Sequence, residues 1–450
     1  MMQEGQEESL PIAFVPTPTQ EYRQHRKFDK ATKAAGPSIP LPIPIPIPFP
    51  FFRGHRVLLW KQDPSVSEIG IRKAYIPNLI TTGPKNNRVT SQGLAAVSPN
   101  VFGDFIQTPG TDQFDAVHTF SVVQMTLKMV QRALSSSGNP IPWQWNSAAN
   151  TDPLQVFAHG LPGTMNAFYS RGQKALKFGD FVKPGSVPPQ QVFTCRSLDI
   201  VAHETGHAIL DGLKPNWIVS ANPQAGGLHE SFGDIMAIFL TLSQLDQVEA
   251  IIAQTRANLH DKTFLSDMAE EFGLALGRPN GLRNADNNLK LSQVTTQVHD
   301  ISQVFTGAIY DILADIFAFE RNTAAKDDAH VLLDVGQYLL GLILQAIINA
   351  PANNPTYADV AKKMKDSAKP AYVNFIVNQF TIREIVVPAL GLDGSETLTE
   401  GFVFEEGITG DFSSCCGCMQ LEEFRGNDES DDEAKELKKW FKKQDTKGEK

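Results

Sequence analysis

Histidines and glutamates in the middle of the chain have the types and spacing of metal ligands and a general base. His203 and His207 stand four residues apart in the stretch VAHETGHAIL. On a helix, residues at that spacing lie one above the other, so both imidazoles can reach one ion. Glu204 directly follows His203, which places its carboxylate beside the ion, where it can accept a proton from bound water. The pattern predicts a helix that carries a catalytic zinc site.

A third ligand is expected downstream, because a catalytic zinc usually has three protein ligands and one open position. The stretch GGLHESFGD supplies Glu230, with Asp234 four residues later. We expect Glu230 to bind the ion and Asp234 to hydrogen-bond the outer nitrogen of a ligand histidine, which fixes the ring's orientation. An isolated HExxH pattern also occurs on ordinary amphipathic helices. The apolar flanks and the second motif favour a metal site here.

Several segments around these motifs resemble the thermolysin-like neutral metallopeptidases. LDIVAHE resembles the stretch that enters the family's active-site helix, and MNAFY resembles its substrate-binding edge strand. VHDIS resembles the segment that carries the family's transition-state histidine, and LRN more weakly resembles its pocket-lining leucine and arginine. The segments follow the family's order between His118 and Phe319, which is less than half of the chain.

The resemblance implies a zinc-dependent endopeptidase with an α+β fold of the two-lobed zincin type. A mixed α/β N-terminal lobe and a mainly helical C-terminal lobe would flank the active-site helix and cleft. The implied roles are catalytic base for Glu204, donor to the developing oxyanion for His299, and substrate binding for Asn166, Ala167 and Arg283. Ile200 and Leu282 match pocket-lining positions, so we expect a bulky apolar residue after the cleaved bond.

The chain departs from the family around the oxyanion. The family has a tyrosine where this chain has Trp217 and Ile218, so only the indole N–H of Trp217 could take its place. The acidic residue that usually precedes and orients the transition-state histidine is missing before His299, where Thr295, Thr296 and Gln297 stand. These changes predict slow turnover or a narrow substrate range.

The metal sites depart from the family too. His229 replaces the asparagine that usually precedes the ligand glutamate. Asp199 matches a position used for structural calcium, but Thr241 stands where another calcium carboxylate is expected. Zinc is therefore the expected cofactor, and the sequence argues against a complete calcium site.

Composition and charge argue against a nucleic-acid-binding protein and against a membrane-spanning protein. A net charge of -10 argues against a nucleic-acid partner, which needs a basic surface. The acidic start has no apolar signal segment, and the longest apolar run, Leu339 to Ile348, is too short to span a bilayer. We expect a cytoplasmic protein without a transmembrane segment that acts on peptides or proteins. Export without a leader remains an alternative.

The chain divides into four expected regions. Residues 1–52 form a polar arm that ends in prolines alternating with apolar residues, a pattern that excludes a helix or a central strand. This arm is interpreted as a stiff linker or as a segment that docks on a partner or on the chain's own catalytic body. The N-terminal lobe is expected over 53–200, the helical lobe over 201–392 and a charged, Cys-containing tail over 393–450.

Cysteines and periodicity add further predictions. Cys195 and the tail cysteines Cys415, Cys416 and Cys418 fit no zinc-site spacing well. They are interpreted as exposed or loosely ordered thiols, with a second metal site, lipidation, or a tail thiolate that blocks the zinc as alternatives. Apolar periodicity predicts helices over Ala116–Leu134, Asp234–Leu245 and Val304–Phe319, and a strand over Val57–Trp60.

Other readings of the site stay open. An aminopeptidase shares the same metal ligands, but it needs acidic groups that hold the substrate amine, and no such motif lies near Asn166. A non-catalytic or autoinhibited binding protein with the same fold is the main alternative. The departures near the oxyanion favour it, whereas the intact Glu204 opposes it.

Overall fold

The computed structural model describes residues 54–77, 80–134, 140–275 and 281–387. The chain divides into two units, Met1–Phe51 and Phe52–Lys450, and all of the described residues belong to the second. The Pro-rich arm, the tail and its cysteines lie outside the described residues. The described part is mixed α/β with small sheets, as the α+β class requires. The two-lobed arrangement and the region boundaries stay predictions.

The larger sheet lies before the metal motifs in the chain. After the antiparallel pair β1 (His55–Trp60) and β2 (Ile71–Ile76), five strands form a mixed sheet. Its order is β3 (Val89–Ser91), β4 (Leu154–Leu161), β6 (Ala175–Val182) and β5 (Ala167–Ser170), and β7 (Gln191–Phe193) also pairs with β6. The strand β5 therefore ends the sheet order, as expected for the MNAFY segment. A short antiparallel pair follows, β8 (Asp267–Met268) and β9 (Arg283–Asn284).

Helices dominate the rest of the described chain. They are α1 (Asp112–Ala133), α2 (Leu198–Leu213), α3 (Pro223–Leu242), α4 (Leu245–Thr255), α5 (Glu270–Ala275), α6 (Val298–Glu320), α7 (Asp328–Asn349), α8 (Tyr357–Ser367) and α9 (Val373–Ile382). The three helices predicted from periodicity are present as α1, α3 and α6, but each begins earlier than expected. The first turns are set by N-terminal caps, such as Asn222 before Pro223, and a search for apolar residues does not detect caps.

A glycine sets the close contact between α2 and α3. A Cβ atom on Gly233 would lie 2.6 Å from Nδ1 of His203. Real Cβ contacts are never that short, so only glycine at this position lets α3 approach the histidine ring. The approach carries Glu230 and Asp234, which flank Gly233 on α3, toward the histidines on α2.

By length and composition, α6 and α7 are apolar enough to cross a membrane, as is the bent pair formed by α3 and α4. In the most apolar windows of α6 and α7, 83% and 61% of the residues are buried inside the protein. The apolar run Leu339 to Ile348 lies within α7, and most of its residues are buried. The absence of a transmembrane segment stays a prediction.

Candidate metal centre

The three predicted ligands converge at the contact between α2 and α3. The Nε2 atoms of His203 and His207 lie 3.0 Å apart. The carboxylate of Glu230 places Oε2 3.4 Å from Nε2 of His203 and Oε1 3.6 Å from Nε2 of His207. Donor atoms at bonding distance from a tetrahedral zinc lie about 3.3 Å from one another. The three separations therefore fit one zinc ion.

The carboxylate of Glu230 supports the same interpretation. It is 1% exposed, and the ring nitrogens of three histidines lie 2.9 to 3.6 Å from its oxygens. A buried carboxylate is costly unless positive charge compensates it. Burial acts to raise the pKa of Glu230, but His299, His207 and His203 outweigh it and hold that pKa well below its usual range. The anionic carboxylate and the two imidazoles are a donor set that zinc prefers.

His203 is held from its outer side by a carboxylate. Its Nδ1 lies 2.9 Å from Oδ1 of Asp234, the contact expected from the sequence. Burial acts to lower the pKa of His203, but Asp234 and Glu230 outweigh it and raise that pKa to about 10. Binding of a metal at Nε2 would therefore displace a proton.

Arg283 contacts this carboxylate, which differs from its predicted role. Its Nη2 donates to Oδ1 of Asp234 at 2.7 Å and its Nε donates to Oδ2 at 3.1 Å. The sequence predicts a substrate contact for Arg283, whereas here two of its donors hold Asp234. Bidentate pairing of this kind fixes both side chains. Arg283 therefore stabilises the support of His203.

His207 is held by a second histidine. Nδ1 of His207 lies 3.2 Å from Nδ1 of His229, and the two rings stack with centroids 5.5 Å apart. Both side chains are fully buried, and burial lowers the pKa of each to about 3. The sequence identifies His229 only as a departure from the family pattern. Its contact with a ligand follows from its place beside Glu230 on α3.

His299 reaches the centre from the first turn of α6. Its Nδ1 lies 2.9 Å from Oε2 of Glu230, and the residue is 8% exposed. Gln297 caps the helix through backbone N–H groups of His299 and Asp300, which fixes where the helix begins. Among the described residues, the donor group that lies within 4.8 Å comprises His203, His207 and Glu230 without His299. A site with three protein ligands leaves a position for water.

Trp217 cannot take the part that the sequence suggests for it. The side chain is fully buried, and its Nε1–H donates to the carbonyl of Pro351 at 3.0 Å. An indole has one donor, so none remains for an oxyanion. The prediction of Trp217 as an oxyanion helper is therefore wrong.

The predicted substrate-binding pair lies at the start of β5. The backbone N–H of Ala167 donates to Oδ1 of Asn166 at 2.8 Å, and the carbonyl of Asn166 accepts from the N–H of Gly179. An extended peptide could use the Ala167 N–H only if the Asn166 side chain turned away. The roles of both residues stay predictions.

A small cavity adjoins the predicted ligand His203. It is lined on its apolar side by Ile200, Ala237, Met268, Ala269 and Leu282, which include both predicted pocket residues. Its volume of about 20 Å³ holds about one water molecule. A bulky side chain would enter only if the walls moved. A larger depression of about 560 Å³ is lined by the loop 183–190 and contains none of the predicted metal ligands.

Cys195, just before α2, belongs to another group of possible donors. It is fully buried, which corrects its interpretation as an exposed thiol, and its donor atom lies within 4.8 Å of donors from Asp115 and His159. Arg196 already binds both oxygens of Asp115, each at 2.8 Å. Burial raises the pKa of the Cys195 thiol well above its usual value. A buried thiol that stays neutral is a poor metal ligand.

Buried acids from distant segments form a cluster that the sequence does not reveal. Asp63 and Asp199 are 1% and 4% exposed, and each acts electrostatically on Glu270. Burial, followed by these two carboxylates, raises the pKa of Glu270 to about 11. Thr241 stands where the family has a calcium-binding carboxylate. Its hydroxyl oxygen accepts a hydrogen bond from Gln62 at 3.1 Å.

The free energy of unfolding is expected to fall less steeply with rising pH in Glu270→Gln than in the wild type. Folding raises the pKa of Glu270 from 4.5 to about 11, so above pH 4.5 the folded state keeps a proton that the unfolded state has lost. The free energy of unfolding then falls as pH rises, by at most about 1.4 kcal/mol per pH unit for one proton. Denaturant unfolding with a chelator at about pH 5 and pH 9 measures the difference. Glu249→Gln, exposed on α4, is the control, and equal pH slopes for Glu270→Gln and wild type would contradict the prediction.

No protein-family model matches the chain, and no curated protein is significantly similar to it. The interpretation of the site therefore depends on its geometry. The structure brings together His203, His207, Glu230, Asp234, Arg283 and His299, and it directs Trp217 to another contact.

Proposed function

We propose that this chain is a zinc-dependent endopeptidase with a two-lobed zincin fold. The observation that carries the proposal is the convergence of two imidazole nitrogens and one carboxylate, 3.0 to 3.6 Å apart, beside a helix that also bears Glu204. Glu204 is fully buried and directly follows the ligand His203 on α2. A metal site with a carboxylate next to a ligand is the arrangement that activates water.

The chain's own residues would divide the work of hydrolysis among them. When bound, zinc lowers the pKa of water and polarises a carbonyl. Glu204 takes the proton of the attacking water and delivers it to the leaving amine. His299 donates a hydrogen bond to the substrate oxygen that becomes negative. Asp234, held by Arg283, keeps the ring of His203 in orientation.

The substrate would be an extended peptide segment. In the proposal it lies along β5, at Asn166 and Ala167, because a strand at the end of a sheet can accept another strand. The cavity at Ile200 and Leu282 would take an apolar residue after the cleaved bond. Its small volume favours a small residue unless Met268 moves.

A non-catalytic or autoinhibited metal-binding protein is the second candidate. It is favoured by the engaged donor of Trp217 and by the burial of the site, where His203 and Glu204 are 4% and 0% exposed. Such a protein would bind zinc through the same three ligands. The two candidates therefore differ in turnover and agree on metal content.

Metal content and peptide cleavage test the proposal together. Purified wild type is expected to hold about one zinc and to cleave a quenched peptide, to lose cleavage with a chelator and to regain it with zinc. His203→Ala should lose both properties, whereas His330→Ala, which removes a half-exposed histidine from α7, should keep both. Zinc without cleavage of a broad peptide library would support the second candidate. A wild type without zinc would overturn the proposal.

A further inference from the structure

The outer nitrogen of His207 faces an unusual partner. His203 has a carboxylate at its outer nitrogen, whereas His207 has the ring of His229, with the Nδ1 atoms 3.2 Å apart. The rings stack at an interplanar angle of 19°, and both side chains are fully buried.

The pairing dictates where the protons lie. Two facing ring nitrogens attract only when one carries a proton and the other presents a lone pair. Nε2 of His207 faces His203 and Glu230, so a metal there requires a lone pair on Nε2 and leaves the proton on Nδ1. Nδ1 of His229 must then accept, and the proton of His229 lies on Nε2.

We propose that His229 is a positioning residue for zinc, which accepts a hydrogen bond from Nδ1–H of His207 and fixes the tautomer that presents Nε2 to the ion. The inference depends on the proposed metal site but not on peptide cleavage. His229 also directly precedes Glu230 on α3, so the same backbone segment orients one ligand and supplies another.

The ring of His229 makes its hydrogen-bond contact through Nδ1. Its Nε2 is buried without a hydrogen-bond partner in the described part of the chain. A buried N–H in that state is costly. A role in packing alone would be filled at lower cost by an apolar ring. An apolar ring would lack the Nδ1 atom that can accept a hydrogen bond from His207.

Zinc affinity measured by chelator competition tests the inference. His229→Phe keeps a ring of similar size and removes the acceptor, and it is expected to weaken zinc binding by about 10- to 100-fold. His229→Asn supplies an amide oxygen and is expected to restore most of the affinity. In zinc-loaded wild type, nitrogen NMR should show the His207 proton on Nδ1 and the His229 proton on Nε2.

The same exchange at another buried histidine separates positioning from packing. His118 on α1 is also fully buried, and His118→Phe should leave zinc affinity unchanged even if it lowers the unfolding temperature. Unchanged zinc affinity in His229→Phe, or equal weakening in His229→Asn and His229→Phe, would overturn the inference while the metal site stands. A wild type without zinc would refute the metal site itself.

Discussion

Glu204→Gln is expected to lower cleavage by about 10²- to 10⁴-fold while the protein keeps its zinc. Glutamine has nearly the same shape as glutamate, but its amide cannot take a proton from water at neutral pH. Glu204 lies outside the donor group formed by His203, His207 and Glu230, so the exchange leaves the ligands in place. The loss should therefore fall on kcat and spare metal affinity.

The comparison that decides this prediction is zinc content beside kcat for wild type, Glu204→Gln and Glu249→Gln. Glu249 is exposed on α4, so its exchange should change neither quantity. Loss of zinc together with activity in Glu204→Gln would mean that this carboxylate supports the site structurally. Full activity with full zinc content would remove Glu204 from the mechanism.

The ligands could be predicted from the sequence because their geometry is local. The spacing of His203 and His207 determines their relative position once a helix forms, and the same holds for Glu230 and Asp234 on α3. Apolar flanks were enough to indicate both helices. One close contact between α2 and α3, which Gly233 permits, then brings the two motifs together.

The errors concern contacts between distant segments. The donor of Trp217 is taken by Pro351, and the acid cluster joins Asp63 to Asp199 and Glu270. Nothing in the spacing of these residues brings them together, because each contact depends on how separate elements pack. The partner of Arg283 is a further example, since Arg283 lies on β9 and Asp234 on α3.

Substitution of His299 is expected to have the second large effect on catalysis. The indole N–H of Trp217 already donates to Pro351, so His299 is the proposed donor to the oxyanion. His299→Phe is expected to lower kcat by about 10²- to 10³-fold, with KM and zinc content little changed. His299→Gln keeps an N–H donor of shorter reach and should fall between the phenylalanine variant and wild type.

The contact of His299 with Glu230 at 2.9 Å makes the control essential, because the ring also touches a ligand. If His299 acted mainly on Glu230, both variants would lose zinc affinity, and activity would recover at saturating zinc. If it acts on the substrate oxygen, saturating zinc restores nothing and the deficit stays in kcat. Activity at saturating zinc therefore assigns His299 either to the metal ligand or to the reacting carbonyl. Full kcat in His299→Phe at saturating zinc would contradict the proposed role.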